Sequence, residues 1–162
     1  MLKNFVVAIS GGAGKIGSSL AKSIIKNHGK VVLGDADFYK GKKIAKKLGK
    51  NCHYFFGDLT KKDDINTFIY QGTKKFKKID AAIHCAYPKS KKWGTKFENL
   101  DSNHLNQDLI KQLGGAIIFS QGFMQYFSKR KKGNLIHVSS IQGVASPKFE
   151  HYENTKMISP IE

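Results

Sequence analysis

A run of glycines near the amino terminus is the strongest chemical signal in the sequence. Residues 10–17 read Ser-Gly-Gly-Ala-Gly-Lys-Ile-Gly and lie between an apolar run, 5–9, and a segment of helical period. Glycines at such a turn let backbone N–H groups approach a pyrophosphate, and the N-terminus of the following helix favours negative charge. The turn therefore predicts dinucleotide binding. A glycine-rich turn between strand and helix without a ligand is the alternative.

The elements that must position this turn alternate regularly along the chain. Short apolar runs predict five strands, separated by segments of helical period. This alternation is typical of parallel crossovers, so the sequence predicts a doubly wound α/β sheet of Rossmann type with strand order 3-2-1-4-5. The predicted strands are residues 5–9, 31–33, 53–56, 79–85 and 134–139, and a long helix is predicted over 104–128.

Length and composition narrow the function classes. With 162 residues, the chain is expected to form one domain, 1–162. The net charge of +16 comes almost wholly from clustered lysines, which indicate solvated surface or nonspecific polyanion binding rather than specific nucleic-acid recognition. Two cysteines without C-x-x-C spacing make a disulfide framework and a zinc site unlikely, and no metal is expected. Without a long apolar run or signal peptide, we expect a cytoplasmic protein that does not bind membranes.

The spacing of the glycines resembles a known fingerprint. The pattern Gly11-x-x-Gly14-x-x-Gly17 is similar to that of the short-chain dehydrogenase/reductase family, in the variant found in its extended branch. The resemblance implies that these glycines, together with Lys15 and Ile16, hold a nicotinamide dinucleotide.

An acidic residue follows at the position where the family binds ribose. Asp35 ends the second predicted strand, 18 residues beyond Gly17. There a carboxylate binds both ribose hydroxyls and repels a 2′-phosphate, which implies NAD rather than NADP. Lys15 and Lys40 weaken that preference, and Asp37 is a weaker candidate for the ribose. A turn or helix-cap role is the alternative for Asp35.

Two further segments resemble the family's cofactor contacts. Asp58 and Leu59 match the position where a carboxylate and the following backbone contact adenine, although Asp58 could instead cap the next helix. The tetrapeptide 84–87, His-Cys-Ala-Tyr, stands where the family has Asn-Asn-Ala-Gly, and only Ala86 agrees. The resemblance implies that Ala86 lies beside the cofactor. The preceding histidine and cysteine are expected to be packed residues at the strand end.

Two positions resemble catalytic residues of the family. Gln112 aligns with a catalytic asparagine of the long helix, and the change of residue puts that asparagine's water-mediated proton relay in doubt. Residues 138–143 match the family's Ser-Ser-x-x-Gly segment, which implies that Ser140 hydrogen-bonds the substrate carbonyl. An ordinary polar residue at a strand end is the alternative for Ser140.

The family also places a Tyr-x-x-x-Lys pair on one helix face, where the lysine lowers the phenol pKa. Tyr152 and Lys156 have this spacing, and Tyr152 follows Ser140 by 12 residues, as is usual in the family. However, Pro147 and Pro160 leave room for only about two helical turns, and the segment lacks an apolar stripe. A catalytic pair and a loop motif of the same spacing both stay open, and the second is favoured.

A second resemblance supports the loop interpretation. The segments 86–88 and 146–162 are similar to a branch of the family found in surface-sugar and flagellin-glycan pathways. In that branch a substrate-side loop follows the serine, and the catalytic tyrosine follows a Ser-Pro-Val-Glu-like tetrapeptide, which residues 159–162 match. The resemblance implies that 144–162 is a substrate-side loop, and that the catalytic helix and the last strands of a full-length member are missing.

The function implied by these resemblances is NAD(P)-dependent oxidation or reduction. Hydride would pass between the cofactor, NAD rather than NADP, and a hydroxyl or carbonyl of a sugar-like small molecule, such as a sugar or sugar nucleotide. If the catalytic helix is missing, the chain would be inactive. A noncatalytic dinucleotide-binding or interaction module is the alternative.

The predicted long helix carries two apolar stripes. One should cover the sheet, and the other is either further core or the surface of a homodimer. The first stripe is Ile110, Leu113, Ile117, Met124 and Phe127, and the second contains Phe119, Phe123 and Tyr126.

Overall fold

The computed structural model describes residues 2–145 and 148–155. Five parallel strands form one sheet in the order β3-β2-β1-β4-β5, which confirms the predicted doubly wound α/β fold. The strands are β1 (Val6–Ser10), β2 (Lys30–Asp35), β3 (Cys52–Phe56), β4 (Ala81–His84) and β5 (Asn134–His137).

Helices cover both faces of the sheet and connect its strands. Because successive side chains of a strand point to opposite faces, Val6 and Ala8 pack in one core while Val7 and Ile9 pack in the other. Every residue of β1 is therefore buried. The helices are α1 (Lys15–Lys26), α2 (Phe38–Leu48), α3 (Lys62–Phe76), α4 (Ser102–Leu109) and α5 (Gly115–Arg130).

The predicted long helix is present as α4 and α5, joined by one π-helical segment, Ile110–Gly114. It begins two residues earlier than predicted, because the Asp101 carboxylate caps it by accepting hydrogen bonds from the N–H groups of Asn103 and His104. A π segment in a helix frequently marks a functional site.

The residues of this helix that are buried against the sheet do not match either of the two predicted apolar stripes. Phe119, Phe123 and Phe127 are buried together, so Phe127 was assigned to the wrong stripe. The three rings lie four residues apart and stack in sequence against the sheet, which a 3.6-residue period permits. The other stripe is more than half exposed at each of its remaining positions, Ile110, Leu113, Ile117 and Met124.

Strand β5 lies at the edge of the sheet and is much less covered than the others. It pairs with β4 alone, and three of its four residues are exposed. Beyond β5, short 3-10 turns, Ile141–Gly143 and Phe149–Tyr152, lead to the end of the described residues. Lys156 and the tetrapeptide 159–162 lie outside the described residues.

Candidate active-site cleft

An open cleft of about 590 Å³ lies at the carboxyl ends of β1, β2 and β4. In a doubly wound sheet this edge is where ligands bind, because the helix N-termini point there and the strand order reverses. Four chain segments line the cleft, and they contain all nine residues predicted to bind the cofactor. The lining residues are 11, 13–17, 34–37, 40, 57–60 and 85–89.

The glycine turn after β1 has no room for a side chain at two of its positions. Gly11 has φ of +64°, and a Cβ on it would lie 2.7 Å from the backbone of Ala86. A Cβ on Gly17 would collide with the carbonyl oxygen of Gly11, against which the first helix packs. These two glycines bring β1, the loop after β4 and the start of α1 into direct backbone contact.

The N-terminus of α1 opens toward this turn without a side-chain cap. Gly14 is the cap residue, no acidic residue lies in the first turn, and Lys15 begins the helix. Because the first N–H groups of a helix lack partners within it, they remain available for a phosphate. Lys15 lines the same cleft, as does Ile16, whose side chain is exposed.

Asp35 ties the end of β2 to the glycine turn. One carboxylate oxygen accepts the N–H of Ala13 at 2.8 Å, and the other accepts the N–H of Asp37 at 2.8 Å. A carboxylate oxygen can accept more than one hydrogen bond, so both retain capacity for ribose hydroxyls. The backbone contacts hold the carboxylate in one orientation at the edge of the cleft.

Asp37 caps α2 and neutralises the nearest lysine of the cleft. Its carboxylate accepts the N–H of Lys40 at 3.0 Å and forms an ion pair with the Lys40 ammonium at 2.9 Å. The backbone hydrogen bond and then the side-chain hydrogen bond of Lys40 lower the pKa of Asp37, and the hydrogen bond to Asp37 raises the pKa of Lys40.

Sequence reasoning did not identify Tyr54, which lies beneath this end of the cleft. Its hydroxyl donates to the carbonyl oxygens of Asp35 and Asp37, each at 3.0 Å. Burial, followed by the nearby carboxylates of Asp35 and Asp37, raises the pKa of Tyr54 to about 12. No local pattern signals this contact, because the partners lie on neighbouring strands.

Asp58 stabilises its own turn at the end of β3. Its Oδ1 accepts both the N–H and the hydroxyl of Thr60, at 3.1 and 2.7 Å. Helix α3 begins later, at Lys62, so the side chain organises a turn rather than capping that helix. Leu59, the adjacent residue, is buried in the core and also lines the cleft.

The loop after β4 passes over the glycine turn at Ala86. The buried Ser10 hydroxyl accepts the N–H groups of Cys85 and Ala86, at 3.2 and 3.4 Å, which fixes the start of this loop. His84 is buried against Phe119, as expected for a packed residue at a strand end. Burial, and secondarily the charge of His137, lowers the pKa of His84 to about 4.

Gln112 joins the long helix to the same loop. It lies in the π segment, and its amide nitrogen donates to the carbonyl oxygen of Pro88 at 3.0 Å. A second connection was missed in the sequence: the buried Asp108 accepts the N–H and the hydroxyl of Ser90, at 2.6 and 2.7 Å. Both helix residues thus position residues 88–90.

Ser140 lies beyond the end of β5 and is exposed. Its hydroxyl accepts the N–H of Gln142 at 3.2 Å and caps a 3-10 turn. It is not among the residues that line the cleft. Its catalytic role stays a prediction.

Tyr152 ends a 3-10 turn and does not lie on an α-helix. Glu153, which follows it, is extended, and Asn154 has a positive φ of 57°. The carbonyl oxygen of Tyr152 accepts both the N–H and the hydroxyl of Thr155, as in a local turn. Whether Tyr152 pairs with Lys156 stays a prediction, since Lys156 lies outside the described residues.

Neither a metal centre nor a membrane helix is found in the part of the chain that the structure describes. Within residues 2–145 and 148–155, no three His, Cys, Asp or Glu side chains are arranged to hold a metal ion. In the same residues, no helix has both the length and the apolarity needed to cross a bilayer.

Comparison with known proteins extends over almost the whole chain. The short chain dehydrogenase family matches residues 5–158. Post-translational flagellin modification protein A of Campylobacter coli is 35% identical over 167 aligned positions, covering 100% of this chain and 65% of that protein. 7alpha-hydroxysteroid dehydrogenase of Bacteroides fragilis is 25% identical, in an alignment that covers 89% of this chain and 57% of that protein.

A solved structure shows the same fold. A short chain dehydrogenase from Bacillus anthracis superposes with a TM-score of 0.83 at 24% identity, over 91% of this chain and 59% of that one. The chain therefore spans less than two thirds of the length of each of these relatives. The matched family consists of oxidoreductases that bind a nicotinamide dinucleotide, NAD or NADP, and act on small molecules. The chain belongs to the short-chain dehydrogenase family.

Proposed function

We propose that the chain binds NAD in the cleft at the carboxyl ends of β1, β2 and β4, as the nucleotide-binding part of an oxidoreductase. The observation that carries this proposal is the close backbone approach of Gly11 to Ala86, beside a carboxylate held at the end of β2. A Cβ at Gly11 would collide with the Ala86 backbone, so only glycine lets this turn and the loop after β4 meet and form the cradle at this edge of the cleft. When bound, the nicotinamide supplies a hydride donor or acceptor.

The preference for NAD follows from the charges at the end of β2. Asp35 presents a carboxylate where ribose hydroxyls would donate to it, and a 2′-phosphate there would be repelled. Lys40, one of the two lysines that could offset this repulsion, is already paired with Asp37. The N-terminus of α1, with Lys15, would hold the pyrophosphate, and Asp58 would accept from the adenine amino group.

At the reacting end, Ser140 would donate a hydrogen bond to the substrate oxygen. Tyr152 belongs to a loop in this proposal, because an extended residue and a positive φ follow it where the family's pair needs an α-helix. Gln112 acts as a positioning residue through Pro88. We therefore expect cofactor binding rather than turnover from these 162 residues.

The substrate class is proposed from the relatives and from the loop. The Campylobacter coli relative is named for flagellin modification, and we propose a hydroxyl or carbonyl of a sugar, or of a sugar nucleotide, as the reacting group. A cytoplasmic location is part of the proposal, supported by two cysteines, Cys52 and Cys85, that are free in the structure.

Calorimetry with NAD+ and NADP+ tests the proposal. The unmodified chain should bind NAD+ more tightly than NADP+. Asp35→Ala should weaken NAD+ binding about tenfold or more, since charge-assisted hydrogen bonds to ribose are lost, and should narrow the difference between the cofactors. Asp63→Ala, which removes an exposed carboxylate from the first turn of α3, is the matched control and should change neither affinity. No binding of NAD+ or NADH at millimolar concentration would contradict the proposal.

The alternative function is a noncatalytic dinucleotide-binding or interaction module. A measurement of enzymatic turnover distinguishes it from the proposed oxidoreductase. Cofactor-dependent oxidation or reduction by the purified chain would exclude it. If that turnover then disappeared in Tyr152→Phe, the tyrosine would be catalytic and the loop interpretation wrong.

We also propose that a second copy of the chain covers the exposed stripe of the long helix. Its large apolar side chains lie on one helix face, a pattern that marks interaction surfaces. Sedimentation should show a dimer that Leu113→Glu converts to a monomer, whereas Tyr39→Glu, at an exposed aromatic residue of α2, should leave it dimeric. A monomeric unmodified chain at tens of micromolar would contradict this proposal.

A further inference from the structure

The loop that follows β4 is held against the long helix at two neighbouring points. Ser90 donates twice to the buried carboxylate of Asp108, and the carbonyl oxygen of Pro88 accepts from Gln112, one helical turn further on. Lys89 lies between the two anchored residues. Its backbone is therefore fixed, although the loop contains no helix or strand there.

The side chain of Lys89 is exposed, and its ammonium lies over two aromatic rings. Its ammonium lies 5.4 Å from the ring centroid of Tyr87 and 5.5 Å from that of Trp93, and the two rings meet edge to face at 5.2 Å. Contacts of this kind orient a cation without neutralising it, so its N–H donors remain available to an oxygen. This arrangement reduces the side-chain entropy that lysine loses when it binds a ligand.

Among the described residues, no carboxylate forms an ion pair with Lys89. The neighbouring Lys92 pairs with Asp101 at 3.5 Å, and Lys40, at the other end of the cleft, pairs with Asp37. Lys89 thus lines the cleft with an uncompensated charge.

The strand order places Lys89 at the reacting end of the cleft. Asp35 follows β2, on one side of β1, while Lys89 follows β4, on the other side. A dinucleotide whose adenosine lies at Asp35 crosses the glycine turn and directs its nicotinamide toward β4. The substrate must meet the nicotinamide there, beside Lys89.

We propose that Lys89 is a specificity-determining residue that binds an anionic oxygen group of the substrate, a carboxylate or a phosphate. The inference rests on the proposed function, because it places the substrate at the nicotinamide end of a bound dinucleotide. It adds a charge requirement: the sugar-like substrate is an anion, and a neutral sugar lacks the group that Lys89 recognises.

The single tryptophan of the chain, Trp93, reports on this residue directly, because the Lys89 ammonium lies against its ring. The full chain is first saturated with NAD+, which fills the pyrophosphate position, and then titrated with glucuronate, glucose 6-phosphate or glucose. We expect a saturable change of Trp93 emission with glucuronate or with glucose 6-phosphate, and none with glucose. The responding anion identifies the group as a carboxylate or a phosphate.

Two variants and one control decide the role of the charge. Lys89→Ala should weaken binding of the responding anion about tenfold, the effect of losing one charge-assisted hydrogen bond, and Lys89→Arg should retain it. Lys91→Ala removes an equal charge from the same loop at an exposed position and should leave the affinity within about twofold. Calorimetry of NAD+ with Lys91→Ala should match that of the unmodified chain, because Lys91 does not line the cleft.

Different results would overturn the proposed function and the proposed role of Lys89. If NAD+ does not bind the unmodified chain, the proposed function fails. If NAD+ binds but neither anion gives a saturable response, or if Lys89→Ala and Lys91→Ala weaken it equally, Lys89 is not an anion-binding residue and this inference alone is overturned.

Discussion

Three isoleucines lie side by side across the sheet and have very different surroundings. Ile9 of β1 pairs in register with Ile83 of β4, which pairs with Ile136 of β5. These residues are 0%, 8% and 41% exposed. The residue type and the backbone are the same, so the difference comes from the surroundings. Ile9 and Ile83 belong to a core that includes Ala21 and Ile24 of α1, whereas β5 is less covered.

The two regions hold their functional residues by different means. At the end of β1, backbone contacts and partly buried hydrogen bonds position Gly11, Ser10 and Asp35. Beyond β5, Ser140 and Tyr152 are held by bonds within their own short turns. The nucleotide end is therefore stabilised by the packed sheet, while the hydrogen bonds described for Ser140 and Tyr152 are local ones.

The largest effect on the free energy of unfolding is expected among these three isoleucines. Ile9→Ala should lower the free energy of unfolding by about 4 kcal/mol, because it leaves a cavity in a fully buried site, and Ile136→Ala by about 1 kcal/mol. Urea denaturation of the two variants measures the difference. Equal losses would show that β5 is covered in solution and would remove the contrast between the regions.

Substitutions at two glycines test the same difference between the nucleotide end and the segment beyond β5. Gly11→Ala should cost about 3 kcal/mol, because a Cβ meets the Ala86 backbone at a positive φ, and should abolish NAD+ binding. Gly143→Ala, in the turn after Ser140, has no atom within 4 Å of the new Cβ and should cost less than about 0.5 kcal/mol. Thermal unfolding and calorimetry measure both effects. Retained NAD+ binding in Gly11→Ala would contradict the proposed cradle.

The buried His84 should make stability depend on pH at the border between the two regions. Its pKa falls from 6.5 to about 4 on folding, so between these values the unfolded chain binds a proton that the folded chain does not. The free energy of unfolding should therefore decrease as pH falls from about 6.5 to 4, by up to about 3 kcal/mol. Denaturation at several pH values should show this loss, and His84→Phe should remove it.

His137→Gln is the control for this pH dependence. It removes the neighbouring ring but leaves His84 buried, and burial is the larger cause of the lowered pKa. Most of the pH dependence should therefore remain. If the stability of His137→Gln depended on pH as little as that of His84→Phe, the lowered pKa of His84 would instead come from the contact between the two histidines.

The smallest effect is expected at Tyr152. This tyrosine is half-buried in a local turn and lies far along the chain from the glycine turn. Tyr152→Phe should therefore change the free energy of unfolding by less than about 0.5 kcal/mol. It should leave the affinity for NAD+ unchanged. Denaturation and calorimetry test this. A large loss of NAD+ affinity would place the hydroxyl in the cleft and break the separation between the two regions.

Sequence reasoning predicted the sheet order correctly, and the nine residues that it proposed for the cofactor line one cleft, because both follow from short-range patterns. The apolar runs mark the strands, and the glycine spacing marks a turn that side chains would prevent. It assigned Phe127 to the wrong stripe, since two apolar faces on one helix have no internal sign of which is buried. It also missed the contact of Asp108 with Ser90, whose partners lie 18 residues apart.

The amino-acid sequence alone specifies which elements form, in what order they pair and which turn must be built from glycine. Those properties follow from side-chain periodicity and from the steric demands of the backbone, which act over a few residues. Among the described residues, it is tertiary structure that sets which lysines of the cleft have an ion pair: Lys40 is paired with Asp37, whereas Lys89 rests on two aromatic rings. Both are lysines in a lysine-rich chain, and what distinguishes them is the surroundings that the folded loops create.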